Sequence, residues 1–129
     1  MYIRGIRGAT VVESNTKDAI LNETKVLLKR ILEDNKIETD SIATIFFSVT
    51  NDLNAAFPAT AAREMGFTHT PMLCFNEIDV PGSLRQCIRI LVQVNSEKSQ
   101  REMKSIYLKE ATVLRPDHAN NISTINQAT

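Results

Sequence analysis

Apolar residues in the first third of the chain recur every three or four positions. From Lys17 to about Asn35, the residues Ile20, Leu21, Thr24, Leu27, Leu28, Ile31 and Leu32 fall on one stripe, which predicts an amphipathic helix. Asn15 or Thr16 can accept hydrogen bonds from its first free N–H groups, and Asp18 suits the positive end of its dipole. Lys25, Lys29, Arg30 and Glu33 lie on or near the opposite, wet side. At 1.5 Å per residue the helix is about 30 Å long, enough to cover one face of a sheet.

Elsewhere the period falls to two. "YIRGIR" opens the chain as a strand, and "IATIFFSV" (Ile42 to Val49) is β-branched and aromatic enough to be buried on both faces. In "CIRILVQV", Ile88, Ile90, Val92 and Val94 share one face, while Cys87, Arg89, Leu91 and Gln93 share the other. The alternation in "SIYLKEATVLR" predicts a fourth strand with Tyr107 and Arg115 on the same side, and "PMLCF" (Pro71 to Phe75) reads as a shorter fifth. In "FPATAAREMG", Pro58 fits a first helical turn and Gly66 the position after a last one, so a short helix lies there. The class is α/β or α+β, with a mixed sheet of about five strands, one long helix and one or two short ones. Residues 1–117 read as a single domain and 118–129, polar and without periodicity, as a mobile tail.

Charge narrows the function. Fifteen basic residues balance fifteen acidic ones, so no overall field recruits nucleic acid or an anionic membrane, and any positive potential is local. No apolar run approaches the roughly 20 residues of a membrane helix, and the N-terminal segment lacks the pattern of a signal peptide. Cys74 and Cys87 form neither a CxxC nor a disulfide framework and read as reduced thiols of a cytoplasmic protein. His69 and His118 have no cysteine or acidic cluster at metal-ligand spacing. The phosphate-binding and hydrolase signatures GxGxxG, GKS/GKT and GxSxG are absent.

What remains is a set of arginines. Arg7 precedes Gly8, which permits close approach by a ligand or another backbone; Arg63 lies on the short helix, and Arg115 precedes Pro116. Arg4 has the opposite parity to Arg7 and belongs to another face. Each alone is ordinary surface chemistry, but Arg89 is flanked by isoleucines in a strand that reads as central. A guanidinium buried there without a counter-charge is very costly, so a partner or an anion must exist. Glu77 in "FNEIDV" is the candidate, with Asp79 two residues on; Asp79 and Arg85 could equally form a surface pair. Cys74 is a small core residue more readily than a nucleophile, since no histidine lies near it in sequence. Tyr107 suits a polar edge. Together these residues suggest a pocket for a small, multiply negative metabolite.

"RGIRGAT" (Arg4 to Thr10), "SVTNDLNAAFPATAARE" (Ser48 to Glu64), "VPGSLRQCIRILVQVN" (Val80 to Asn95) and "IYLKEATVLRPD" (Ile106 to Asp117) resemble the small, monofunctional, trimeric chorismate mutases of the mixed-sheet class. The resemblance runs in order from residue 1 to about 117. It implies a homotrimer with a barrel-like core ringed by helices, active sites at subunit interfaces, and conversion of chorismate to prephenate on the route to phenylalanine and tyrosine. It implies no metal and no organic cofactor. On the same basis Arg89 contacts the ether oxygen and a carboxylate, while Glu77 and Cys74 lie near the ring hydroxyl. Arg7 and Tyr107 hold a substrate carboxylate, with Tyr107 and the backbone after Leu73 completing the pocket. Phe57, Arg63 and Arg115 line the entrance. Thr60 stands where relatives often carry lysine, and Leu73 where threonine is common.

Two other readings use the same arginines. One is a non-catalytic trimer that binds or senses a small anionic metabolite. The other is a trimeric imine- or enamine-hydrolysing protein of similar size, which gives no reason for Glu77 opposite Arg89.

Overall fold

The structure, a computed structural model, describes residues 1–114. Five strands form one mixed sheet: β1 (Tyr2–Val11), β2 (Ile42–Val49), β3 (Met72–Asn76), β4 (Cys87–Ser96) and β5 (Ile106–Tyr107), in the order β3-β2-β4-β1-β5. β4 is central and runs antiparallel to both β1 and β2, whereas β3 and β5 add parallel to β2 and β1 at the edges. Two α-helices, α1 (Lys17–Asp34) and α2 (Pro58–Glu64), pack against one another and on one face.

The stripe predicted for α1 is the face it buries: Ile20, Leu21, Thr24, Leu27, Leu28 and Ile31 are all removed from water. Thr16 is its N-cap, accepting from Ala19 N at 3.2 Å. Asn15 does something else. Its carboxamide donates to Asn54 Oδ1 at 2.8 Å and accepts from the backbone of Asn54 and Ala55, bracing the loop ahead of α2. Pro58 opens α2, and Gly66, at φ +104°, follows its last turn. Such a φ strains any residue with a Cβ.

Register makes the sheet two-sided. Ile6, Ile90, Val92, Val94, Ile45, Phe47 and Ile106 face the helices and form the main core. Among the described residues no element crosses the centre of the opposite face, and there Thr44, Phe46 and Ser48 are only partly buried. β2 is therefore buried on one face in this chain, not both.

β5 is also shorter than its alternation suggests. Leu108 N donates to Ala9 O at 2.9 Å, and Lys109, at φ +54°, then turns the chain into a 3-10 turn over Lys109–Val113. The turn inserts Ala111, fully buried, against Ala9, Val11, Cys87 and Tyr107. Local packing overrides the two-residue period there. Lys109 Nζ reaches Glu23 Oε2 on α1 at 2.6 Å, which raises the lysine's pKa, the hydrogen bond to Glu23 being the main cause. The part of the predicted strand that reaches Arg115, and the tail, lie outside the described residues.

With β5 so short, much of the outer edge of β1 has no strand beside it. At Gly5 a side chain fills in: Gln100 Oε1 accepts from Gly5 N at 2.9 Å, and its Nε2 donates to Gly5 O at 2.5 Å. Asn35, at the end of α1, makes a similar two-way clasp with Lys104, donating to its O at 3.0 Å and accepting from its N at 2.7 Å.

Gly8 admits close approach, but by the protein itself. A Cβ there would stand 2.8 Å from Ile31 Cδ1, 2.9 Å from Ile106 O and 3.0 Å from Leu27 Cδ1. Because one obstacle is backbone, Gly8→Ala is expected to cost about 1–3 kcal/mol. Gly5→Ala, whose new Cβ meets only Leu91 Cδ1 at 3.5 Å, is the control, and denaturant midpoints of the two variants should separate accordingly.

Candidate active site

Residues paired directly across a sheet present their side chains on the same face. On the helix-free face one such row runs Tyr107, Ala9, Arg89, Ser48, Phe75 across all five strands. The next row runs Arg7, Leu91, Phe46, Leu73. Arg89 is thus the third residue of the middle strand, on the side away from the helices. Ala9, small and fully buried, separates it from Tyr107. A cavity of about 240 Å³ opens over these rows, with Arg7, Ser48, Phe75, Arg89, Tyr107 and Leu114 in its walls.

Glu77 reaches the same place from the end of β3. Its backbone N donates to Val49 O at 2.8 Å, which carries the loop back over β2. Its carboxylate then lies beside Arg89, with Oε1 3.6 Å from Nε. That is an ion pair but too long for a hydrogen bond. Ser48 Oγ donates to that same Oε1. The Arg89 side chain is 39% exposed and that of Glu77 26%, yet Arg89 Nε itself is sealed from solvent and has no hydrogen-bond partner among the described residues. The exposure belongs to the rest of the side chain. An N–H stripped of water and left unmatched costs about 1–3 kcal/mol.

The predicted residues separate into two groups. Arg7, Glu77, Arg89 and Tyr107 converge on this one region, Arg7 exposed and Tyr107 buried. Cys74 pairs with Phe47 and therefore points to the helix side, packed partly against the main core. It lines, with Phe57, Pro58 and Asn76, a separate hollow of about 400 Å³. Arg63 is exposed on α2 and Leu73 exposed on β3. Neither lines the Arg89 cavity. Thr60 is half-buried on α2. Arg115 lies outside the described residues. Arg85 pairs with Asp52, Nε to Oδ2 at 3.8 Å, and not with Asp79. Arg4 stacks on Tyr2 at 4.6 Å and donates to Lys98 O, away from the cavity.

Sequence reasoning did not select Ser48. The signal that finds it is the antiparallel register of β2 on β4, which sets Ser48 directly opposite Arg89. Cys87 is two residues before Arg89 on the same face and fully buried. Burial pushes its thiol up to about 11, although the nearby Arg89 guanidinium pulls in the other direction. Among the described residues no three His, Cys, Asp or Glu side chains group as metal ligands would. A cation, a carboxylate and a tyrosine fixed around an open cavity can bind an anion and stabilise separated charge. They present no activated nucleophile.

Comparison with known proteins gives one family. The model for chorismate mutase type I matches residues 3–118. The chorismate mutase AroH of Bacillus subtilis (strain 168) is 44% identical over 118 residues, covering 91% of this chain and 93% of that protein. The chorismate mutase AroH of Thermus thermophilus is 46% identical over 116 residues, covering 89% and 95%. Among solved structures, a chorismate mutase from Clostridium thermocellum superposes with a TM-score of 0.83 at 54% identity, covering 84% of this chain and 97% of that one.

The two thiols should behave differently. With its thiol at about 11, about one Cys87 in a thousand is ionised at pH 8, and its sulfur is buried. Cys87 is expected to escape alkylation in the native protein at pH 8 and to react once the chain is unfolded, as read by mass spectrometry of the labelled peptides.

Proposed function

The chain belongs to the chorismate mutase type I family, and from that premise we propose that its reaction centre is the Arg89–Glu77 pair, completed by a second protomer. A chorismate mutase converts chorismate to prephenate by an intramolecular [3,3] rearrangement: one C–O bond breaks, one C–C bond forms, and no proton changes hands. As the C–O bond lengthens ahead of C–C closure, negative charge gathers on the ether oxygen and positive charge spreads over the ring. Catalysis then asks for a fixed cation at the oxygen and an anion near the ring.

One observation carries the assignment. Arg89 Nε is sealed, unpartnered and 3.6 Å from Glu77 Oε1, so opposite charges sit side by side without neutralising each other through a hydrogen bond. Arg89 serves the ether oxygen and Glu77 the ring. Arg7 and Tyr107, on either side of the same cavity, hold a substrate carboxylate and keep the flexible substrate folded with its reacting carbons together.

The second protomer is supported by what the single chain leaves undone. Phe57 and Cys74 line a hollow separate from the Arg89 cavity, while Arg63 and Leu73 stand exposed on neighbouring elements. The helix-free face carries Phe46, Leu73, Phe75 and Leu91, with Leu73 57% and Phe75 48% exposed. Covering such a face stabilises by about 25 cal/mol per Å² of apolar surface. A homotrimer that closes these faces around its axis would also bring Phe57, Arg63, Leu73 and Cys74 of one chain against Arg89 of the next. Arg115 belongs at the entrance on the family's pattern. Two free cysteines and the absence, among the described residues, of a helix able to cross a membrane are compatible with a cytoplasmic enzyme.

Purified protein mixed with chorismate should deplete it and form prephenate without added metal or cofactor. Arg89→Ala should lower kcat by about 10²–10³-fold, and Arg89→Lys should recover only part of it, since the planar two-point geometry is lost. Unchanged turnover in Arg89→Ala would remove the electrostatic assignment. Arg63→Ala should raise KM more than it lowers kcat. If sites span protomers, co-refolding Arg89→Ala with Arg63→Ala chains restores, at low chorismate, activity that neither has alone. Activity no greater than the sum of the two would argue for a site within one chain.

A further inference from the structure

Glu77 Oε1 faces two groups at once. Ser48 Oγ donates a hydrogen bond to it, and Arg89 Nε stands 3.6 Å from it without one. Ser48 is the direct cross-strand partner of Arg89 on β4 and of Phe75 on β3, so its hydroxyl meets the carboxylate on the cavity side, from the strand next to Arg89. A carboxylate and a guanidinium this close, on flexible stems, would ordinarily close into a hydrogen-bonded fork. Here they have not.

We propose that Ser48 is a positioning residue that turns the Glu77 carboxylate off Arg89, so that the guanidinium stays free for the substrate oxygen. The inference rests on the assignment of Arg89 and Glu77 above. The serine hydroxyl occupies the carboxylate oxygen with a donor of its own and takes up part of its charge. The strand fixes Ser48 in register, and the bond from Glu77 N to Val49 O fixes where the acid's backbone can be. Within those limits the hydrogen bond sets which way the carboxyl group turns. Remove the hydroxyl, and the carboxylate is free to rotate onto Arg89 and close the gap. The cation would then be neutralised in the ground state, and the reaction would have to break an ion pair to use it. The loss appears in the chemical step, because Arg7 and Tyr107 still hold the substrate.

The test compares Ser48→Thr, which keeps a hydroxyl, with Ser48→Val, its near-isostere without one. Both side chains are β-branched and suit a strand. Threonine is expected to stay within about twofold of the parent, while valine loses about tenfold in kcat with KM little changed and the same thermal midpoint as the threonine variant. In a Glu77→Gln background, where no charged carboxylate remains to be held off, exchanging threonine for valine at position 48 should make no further difference. Equal kcat for the two variants, a loss that tracks the thermal midpoint, or an undiminished effect in the Glu77→Gln background would each overturn the proposal. If the parent fails to convert chorismate, or Arg89→Ala turns over normally, the assignment of the site itself fails and the role of Ser48 falls with it. If both of those hold, equality of threonine and valine removes Ser48 alone.

Discussion

A guanidinium cannot shed its proton under any condition a folded protein survives, so an N–H of arginine sealed from water stays charged and keeps seeking an acceptor. The rest of the site is organised around that constraint. The central strand sets Arg89 on the helix-free face, the alanine beside it separates it from Tyr107, and the serine on its other side hydrogen-bonds the acid that it faces. None of these neighbours gives Nε a hydrogen bond. The fold tolerates this local cost because everything beneath it is well packed. Ile88, Ile90, Val92 and Val94 fix the same strand into the core from the opposite side.

The sheet divides the labour between its faces. One face, under α1 and α2, supplies the stability of the chain and is filled with branched aliphatic side chains. The other is a mixture of apolar surface and a few charges. Gly8 and Arg7 show the division at neighbouring positions: the glycine lets α1 and the β5 backbone press against the sheet from behind, and the arginine points to the cavity in front. In the proposed assembly the two jobs join, since the surface that needs covering is the surface that reacts.

Much of this was legible in the chain. The apolar stripe of α1, the bounds of β2, and the proline and glycine bracketing α2 are local signals and match the structure. So does the inference that an arginine between isoleucines needs a counter-charge, with Glu77 as the candidate. What the local pattern did not show depended on tertiary packing. The period-two pattern after Tyr107 reads as a long strand, but a turn at Lys109 that buries Ala111 is favoured over extension. The separation of Cys74 from Arg89 within one chain, and the placement of Ser48 opposite Arg89, follow from strand register. Register is decided by which strands meet and by how many residues they are offset, and a shift of one residue would exchange the two faces. No single segment contains that information.

The clasp between Gln100 and the backbone of Gly5 has a consequence for life in a concentrated solution. A long strand with a vacant flank is a template on which foreign chains can assemble, and β5 shields β1 over only two positions. By imitating a neighbouring peptide with a side-chain amide, the protein occupies both hydrogen-bonding groups of Gly5. A visiting polypeptide finds its docking ladder interrupted near the middle of the strand. One glutamine thereby satisfies at this border a pair of backbone groups that an added strand would satisfy elsewhere.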